Sequence, residues 1–91
     1  MVYELIVNQK QQRFEYHFEN GNLAYVDYRI KDNVYYLPYS FVSPEMSGKG
    51  IGGRLVMNVF DYIRSLDKKA IAQCGFVHKV LMREEFEDIR A

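Results

Sequence analysis

The sequence predicts an α+β fold in which four strands precede a helix, a fifth strand and a second helix. Three observations predict it. Phe14, Tyr16 and Phe18 alternate with Arg13, Glu15, His17 and Glu19, a period of two. Ile51, Leu55, Val59, Tyr62 and Leu66 recur at helical spacing. The pattern switches from the first kind to the second after Pro44.

The first strand is the apolar run 3–7, and the polar stretch 9–12 is the first turn. The second strand covers 13–19 and ends at Asn20-Gly21, a hairpin signal because both residues tolerate positive φ. The third runs over 23–31 with Ala24, Val26, Tyr28 and Ile30 on one face. Asp32-Asn33 then fits a tight two-residue turn. The fourth covers 34–42, and Pro38 inside it has no N–H for a ladder, so a bulge, a bend or an edge position is expected there. The long helix has Val56, Phe60 and Ile63 flanking its apolar stripe and Arg54, Asn58, Asp61 and Ser65 on its wet side. Ala70-Ile71-Ala72 is the fifth strand. Residues 76–84 form a shorter helix, and 88–91 are expected to fray. Short turns make the first four strands an antiparallel meander. The strand–helix–strand segment that follows is long enough for a right-handed crossover placing the fourth and fifth strands parallel. The expected architecture is one layer of sheet with the helices packed on it, and residues 1–91 are read as a single domain.

Composition narrows the function. Hydrophobic residues make up 48% of the 91, which is a core-forming proportion. Twelve basic and twelve acidic residues cancel, so the broad positive field of a nucleic-acid-binding protein is lacking. No apolar run reaches membrane-spanning length, and the start lacks the basic and apolar regions of a secretory signal. The lone cysteine excludes an internal disulfide and, without such a signal, reads as cytoplasmic. One Cys and two scattered His make no metal constellation.

The segment that carries chemistry is Ser47-Gly48-Lys49-Gly50-Ile51-Gly52-Gly53, between the fourth strand and the long helix. A helix start offers unpaired N–H groups and about half a positive charge. Gly48, Gly50, Gly52 and Gly53 let an anion approach the backbone, and Lys49 adds a mobile positive charge, so the run reads as a phosphate or pyrophosphate cradle. A plain strand-to-helix turn is the alternative, but four glycines within 48–53 exceed what a turn needs. The run is not a Walker loop, since Lys49 precedes Gly50 and no Ser or Thr follows it. Nor does it open a dinucleotide-binding βαβ unit, for it comes after four strands.

Ser47 to Gly52 resembles the phosphate loop of the GNAT N-acetyltransferase superfamily, Q/R-x-x-G-x-G/A. Together with Ser40-Phe41-Val42-Ser43-Pro44-Glu45 and Cys74-Gly75-Phe76-Val77, the chain is similar to a short GNAT subgroup with a Cys-Pro-Phe-Val-type segment. Ser47 stands where that family usually has Arg or Gln, Gly75 replaces the common Pro, and the tail differs around Glu84-Glu85-Phe86. The resemblance implies a GNAT-like fold whose fourth and fifth strands splay at their C-terminal ends. It implies acetyl-CoA as cofactor, its diphosphate on residues 47–53 and its pantetheine arm against the backbone of Phe41 and Val42. The acceptor is then an amine, on a small molecule or a protein lysine.

By the same resemblance Cys74 lies beside the cofactor's sulfur. Two roles are open for it: a nucleophile that takes the acetyl group, which needs a lowered thiol pKa, or a small apolar wall residue. His78, one helical turn on, is a candidate base for it. His17 is read as solvated, and Tyr36 and Tyr39 are candidates for the general acid. The alternative function is a CoA-binding module with little catalysis; a small interaction domain is a third reading. A monomer or weak dimer is expected.

Overall fold

The computed structural model describes residues 3–91. Their strands are β1 (Ile6–Asn8), β2 (Arg13–His17), β3 (Leu23–Asp27), β4 (Arg29–Lys31), β5 (Val34–Leu37), β6 (Ser40–Val42) and β7 (Lys69–Ala72). The helices are α1 (Ile51–Ser65) and α2 (Gly75–Leu81), with 3-10 turns at Glu19–Gly21, Pro44–Met46 and Glu84–Ile89. Hydrogen bonding divides the strands into two sheets, where the sequence suggested one layer. One has the order β1-β2-β3-β6 and is antiparallel throughout; the other is β4-β5-β7, with β5 and β7 parallel.

The turns follow their residue chemistry. Asp32 and Asn33 both have positive φ, 52° and 66°, and close the Lys31–Val34 pair of the β4–β5 hairpin. Asn20 and Gly21 also have positive φ, in a loop closed by the Phe18 N–H donating to the Asn22 carbonyl at 2.9 Å.

The two sheets arise because the third and fourth strands each break. The third strand breaks after Tyr28, whose N–H still donates in register to the Gln12 carbonyl at 2.9 Å and whose ring packs on Phe14 and Tyr35 at 4.7 and 5.6 Å between centroids. The alternation is lost there, so Ile30, placed by the sequence pattern on the face of Ala24 and Val26, is 52% exposed. Pro38 and Tyr39 separate β5 from β6. Pairing with β7 ends where the Gln73 N–H reaches the Leu37 carbonyl at 3.0 Å, one residue before Pro38. The chain then crosses to pair with β3.

One continuous core joins both sheets to α1, α2 and the C-terminal turn. Ile51, Leu55, Val56, Val59, Phe60 and Ile63 of α1 are buried, as their spacing predicts. Glu15 is buried despite its place on the polar face of β2. Asn8 Nδ2 donates to it at 3.1 Å, and His17 Nε2 lies 2.7 Å from its other oxygen. His17 itself stays exposed, as expected. Among the described residues no helix is long and apolar enough to cross a membrane.

The C-terminus corrects the expectation of fraying. Phe86 and Ile89 are buried, the Ala91 N–H donates to the Ala70 carbonyl at 3.1 Å, and Arg90 bridges to β7. Arg64 holds Asp88 through two hydrogen bonds of 2.8 and 2.7 Å, and these draw the Asp88 carboxyl below its usual range. The apolar pair Phe86 and Ile89 has the i, i+3 spacing that seats it on α1 and β7, a signal too short to stand out from sequence. Ile89→Ala should therefore cost about 3 kcal/mol, measured by urea unfolding; a change below about 0.5 kcal/mol, the range of a surface substitution, would mean that the tail is not part of the core.

Candidate functional site

The divergence of β6 from β7 opens a gap, and the register says which backbone groups face it. Ser43 donates its N–H to the Leu23 carbonyl and Asp27 donates to the Tyr39 carbonyl, both at 2.9 Å. Alternation along an antiparallel pair therefore turns the N–H and C=O of Phe41 toward β3, and those of Ser40 and Val42 toward the gap. Of the two strand residues singled out by sequence, Val42 presents free backbone and Phe41 only its side chain.

The chain enters the glycine loop through a well-tied corner. Ser43 is buried, with its Oγ accepting from the Leu23 N–H at 2.9 Å, and Met46 N–H donates back to the Ser43 carbonyl at 2.8 Å. Ser47 spends both its donors on the Pro44 carbonyl, from N–H at 3.2 Å and from Oγ at 2.9 Å. The first α-helical bond is from Arg54 N–H to the Gly50 carbonyl. Between these points the N–H groups of Gly48, Lys49, Gly50, Ile51, Gly52 and Gly53 have no partner among the described residues, and no side chain caps the helix.

The four glycines divide into two kinds. Gly48 and Gly50 have φ of 77° and 74°, which L side chains rarely adopt. Gly52 and Gly53 lie in ordinary helix, where glycine costs about 1 kcal/mol relative to alanine. A Cβ on Gly52 would sit 3.4 Å from the Phe76 ring and from Val42; one on Gly53 would meet nothing within 4 Å. Folding explains the first pair. For Gly53 the chain itself supplies no steric reason, whereas a ligand resting on the helix start would.

These residues line a cleft of about 720 Å3, within the ordinary range for a small-molecule site. Phe41, Val42, Ser47, Gly48, Gly50, Ile51, Gly52 and Gly53 are in its wall; Lys49 is not, and faces two neighbouring cavities instead. Sequence reasoning missed Tyr25, Ser40, Met46, Phe76, Lys79 and Arg83. Phe76, Lys79 and Arg83 follow one another at i, i+3 and i+7, a one-face spacing that could have found the last two. Tyr16 fixes the helix start over the sheet: fully buried on β2, its hydroxyl accepts a short hydrogen bond from Asn58 and donates to the Arg54 carbonyl at 3.5 Å. Burial raises its pKa, so it stays a neutral phenol.

A family model for GCN5-related N-acetyltransferases matches residues 13–89. The chain belongs to that family. No match is found among curated proteins. The chain is also similar to the solution structure of a protein from Staphylococcus aureus assigned as GCN5-like. That comparison has a TM-score of 0.72 and 28% identity, and covers 98% of this chain and 88% of that one. The GNAT resemblance and the α+β fold class are thus borne out. For a member of this acyl-transferring family, the gap beside β6 and the uncapped start of α1 are the parts of the fold that bear on chemistry.

Cys74 stands at the end of the gap away from the glycine loop, outside the cleft wall. Its Sγ lies 3.3 Å from Ser40 Oγ. Burial pushes this thiol up, but hydrogen bonds from the Ser40 hydroxyl and from the N–H groups of Val77, Phe76 and Ser40 outweigh it, leaving the pKa below its ordinary value. His78 donates its backbone N–H to the Cys74 carbonyl at 2.8 Å; its side chain is exposed, and no hydrogen bond joins it to the thiol. Tyr39 is 50% exposed and Tyr36 half-buried on the β5 ladder. The Cys74 alkylation rate should therefore titrate below the range of an exposed cysteine, and Ser40→Ala should move its midpoint upward. A profile unmoved by Ser40→Ala would remove the hydroxyl as the cause.

Proposed function

We propose that this protein binds acetyl-CoA in the cleft between β6 and α1 and transfers its acetyl group to an amine. The observation that carries the reading is the run of N–H groups from Gly48 to Gly53 that no described protein group satisfies. A diphosphate is the part of the cofactor that such a cradle suits, because each of its oxygens accepts a hydrogen bond and its charge favours a helix start. The void beside Gly53 supports the fit, since it leaves room for phosphate oxygens against the main chain. The free N–H and C=O of Val42 suit the amide groups of the pantetheine arm, which would run along β6 toward Ser40 and Cys74.

The chemistry needs little from the chain beyond position. The acceptor's neutral amine would attack the thioester carbonyl; a carbon–nitrogen bond forms, the carbon–sulfur bond breaks, and the proton the nitrogen loses ends on the departing thiolate. Ser40 and Cys74 stand at that end of the gap, and we read Cys74 as lining it. The family's usual direct attack needs no covalent intermediate on the protein, and among the described residues no base hydrogen-bonds to Cys74. A cytoplasmic location follows from the cofactor and from the single reduced cysteine.

Thermal unfolding with and without acetyl-CoA tests the reading. Saturation at about 100 times the dissociation constant should add about 2.7 kcal/mol to the stability of the folded chain. Gly53→Ala should separate folding from function. It should stabilise the ligand-free protein by up to about 1 kcal/mol while weakening acetyl-CoA binding at least tenfold. Unchanged affinity in that variant would show that the diphosphate does not rest there. Cys74→Ala should retain both binding and turnover; binding kept with turnover lost would instead assign Cys74 a covalent role.

A further inference from the structure

The sheet β4-β5-β7 has its helices on one side only. Tyr35, Leu37 and Ala70 point into the core, where α1 and α2 pack. Side chains alternate across a sheet, and paired residues share a face. Arg29, Tyr36 and Ile71 therefore form one row of the opposite face, and Lys31, Val34 and Lys69 form the next. Three of these side chains are cations and none is a carboxylate, in a chain whose twelve basic and twelve acidic residues cancel. Among the described residues none of the three is in a salt bridge. Arg29 and Lys69 donate to main-chain carbonyls, of Tyr28 and Asp88, and the Asp88 carboxylate is itself held by Arg64. Val34, Tyr36 and Ile71 are half-buried, so apolar surface lies between the cations.

This face lies at the foot of the gap. The row of Arg29, Tyr36 and Ile71 comes just before the last β5–β7 pair, Leu37 opposite Ala72. From Tyr36 to Tyr39 and from Ile71 to Cys74 the chain advances roughly 10 Å at a strand's rise. Tyr39 is 50% exposed at that point. Helices close the other side of the gap, where Leu55 and Val80 wall the cleft, whereas Tyr25 and Phe41 carry the cleft wall round to the helix-free side. We propose that the helix-free face of β4-β5-β7 docks the acceptor, and that the acceptor is a lysine within an acidic protein segment. The inference rests on the acetyl-CoA reading above and adds the substrate class to it. An acetyl donor held between β6 and the helices leaves this face as the open approach to the thioester. A segment laid across three strands can set carboxylates against Arg29, Lys31 and Lys69 while its lysine enters the gap beside Tyr39. A small amine spans too little of the face to use those cations. Asp27, the carboxylate on the helix-free face of β3, is already bound to Arg13 at 3.4 Å and so does little to repel such a segment.

Two lysine peptides of equal length test the assignment, one with glutamates flanking the lysine and one with glutamines in their place. Acetyl-CoA is the donor, and acetylation is read by mass spectrometry. At low salt the unmodified protein should acetylate the acidic peptide with a kcat/KM about tenfold higher, an advantage that added salt should shrink toward parity. Arg29→Glu/Lys31→Glu should reverse the preference, and Arg29→Gln/Lys31→Gln should abolish it. Both side chains are exposed and neither lines the cleft, so calorimetry should find acetyl-CoA affinity within about twofold in both variants and so show them folded. Equal rates for the two peptides, or a preference that survives in both variants, would overturn this inference and leave the acetyl-CoA reading standing. So would acetylation of neither peptide by protein that binds acetyl-CoA, with propylamine as the control that tells a small acceptor from no transfer at all. Displacement of the acidic peptide by a smaller concentration of a single-stranded oligonucleotide would assign the face to nucleic acid and overturn it too. Failure of the unmodified protein to bind acetyl-CoA would overturn that reading and this inference with it.

Discussion

The break between β5 and β6 at Pro38 and Tyr39 is the constraint on which the rest of the structure turns. β5 and β7 run parallel and paired from Val34 opposite Lys69 to Leu37 opposite Ala72. The bond from the Gln73 N–H to the Leu37 carbonyl closes that pairing, and Pro38 and Tyr39 follow as the break between β5 and β6. The strand direction continues, but the hydrogen-bonding partner changes, and β6 completes the sheet of β3 instead. Two consequences follow from that break. The edge of β6 that carries the N–H and C=O of Val42 is left without a neighbouring strand among the described residues. The chain also arrives at Ser43 on the far side of the gap, so that α1 begins with its amides beside that edge. An unbroken ladder between the fourth and fifth strands would have filled the space with backbone pairing and left no cleft.

A cleft built this way lowers the stability of a small protein. Six consecutive N–H groups without a partner among the described residues, and two helical glycines, sit where a capping side chain and two alanines would favour folding. The compensation comes from farther along the same helix, where Leu55, Val56, Val59, Phe60 and Ile63 are almost wholly buried and Tyr16 ties the first two turns to β2. The helix start is thus held by its own middle and can remain unsatisfied toward the cleft. The C-terminal turn adds to the same end through Phe86, packed edge-on against Phe60 at 4.9 Å, and Ile89. Packing these residues matters more here than in a larger domain, because a chain of this size buries only about 60–65% of its surface.

Much of this was legible in the residues, for physical reasons that differ from element to element. The helix was legible because an amphipathic stripe of fifteen residues repeats its signal four times. Asp32-Asn33 was legible because few residue pairs tolerate two positive φ values. The glycine loop was legible because glycine at Gly50, Gly52 and Gly53 runs against helix propensity and calls for a reason. Tyr28 gave no such warning: its aromatic side chain suits a strand and it keeps the buried alternation of Ala24 and Val26, so the break comes only after it. The exposure of Ile30 followed from that break. Glu15 was misjudged for a related reason, since alternation tells which face a residue occupies and says nothing of the polar neighbours that cover it. Lys79 and Arg83 escaped notice because a short helix gives a single turn of evidence, and their meaning depends on which cavity the helix borders.

Net neutrality conceals how charge is arranged. Along α1 the basic residues Lys49, Arg54, Lys79 and Arg83 gather near the helix start. The acids Asp61, Glu84, Glu85, Glu87 and Asp88 lie toward its other end and the C-terminal turn. This is the reverse of what a helix prefers, since the start of a helix favours acids and its end favours bases. Arg64 in the last turn answers the second half of the mismatch by binding Asp61 and Asp88, so the acids there serve the packing of the tail. The first half of the mismatch stands at the cleft, where cations lie beside a positive helix end, an arrangement that favours an anion. A composition that argues against a nucleic-acid surface is therefore compatible with a strong local field for one anionic ligand, because the field depends on where the charges sit and the total does not report it.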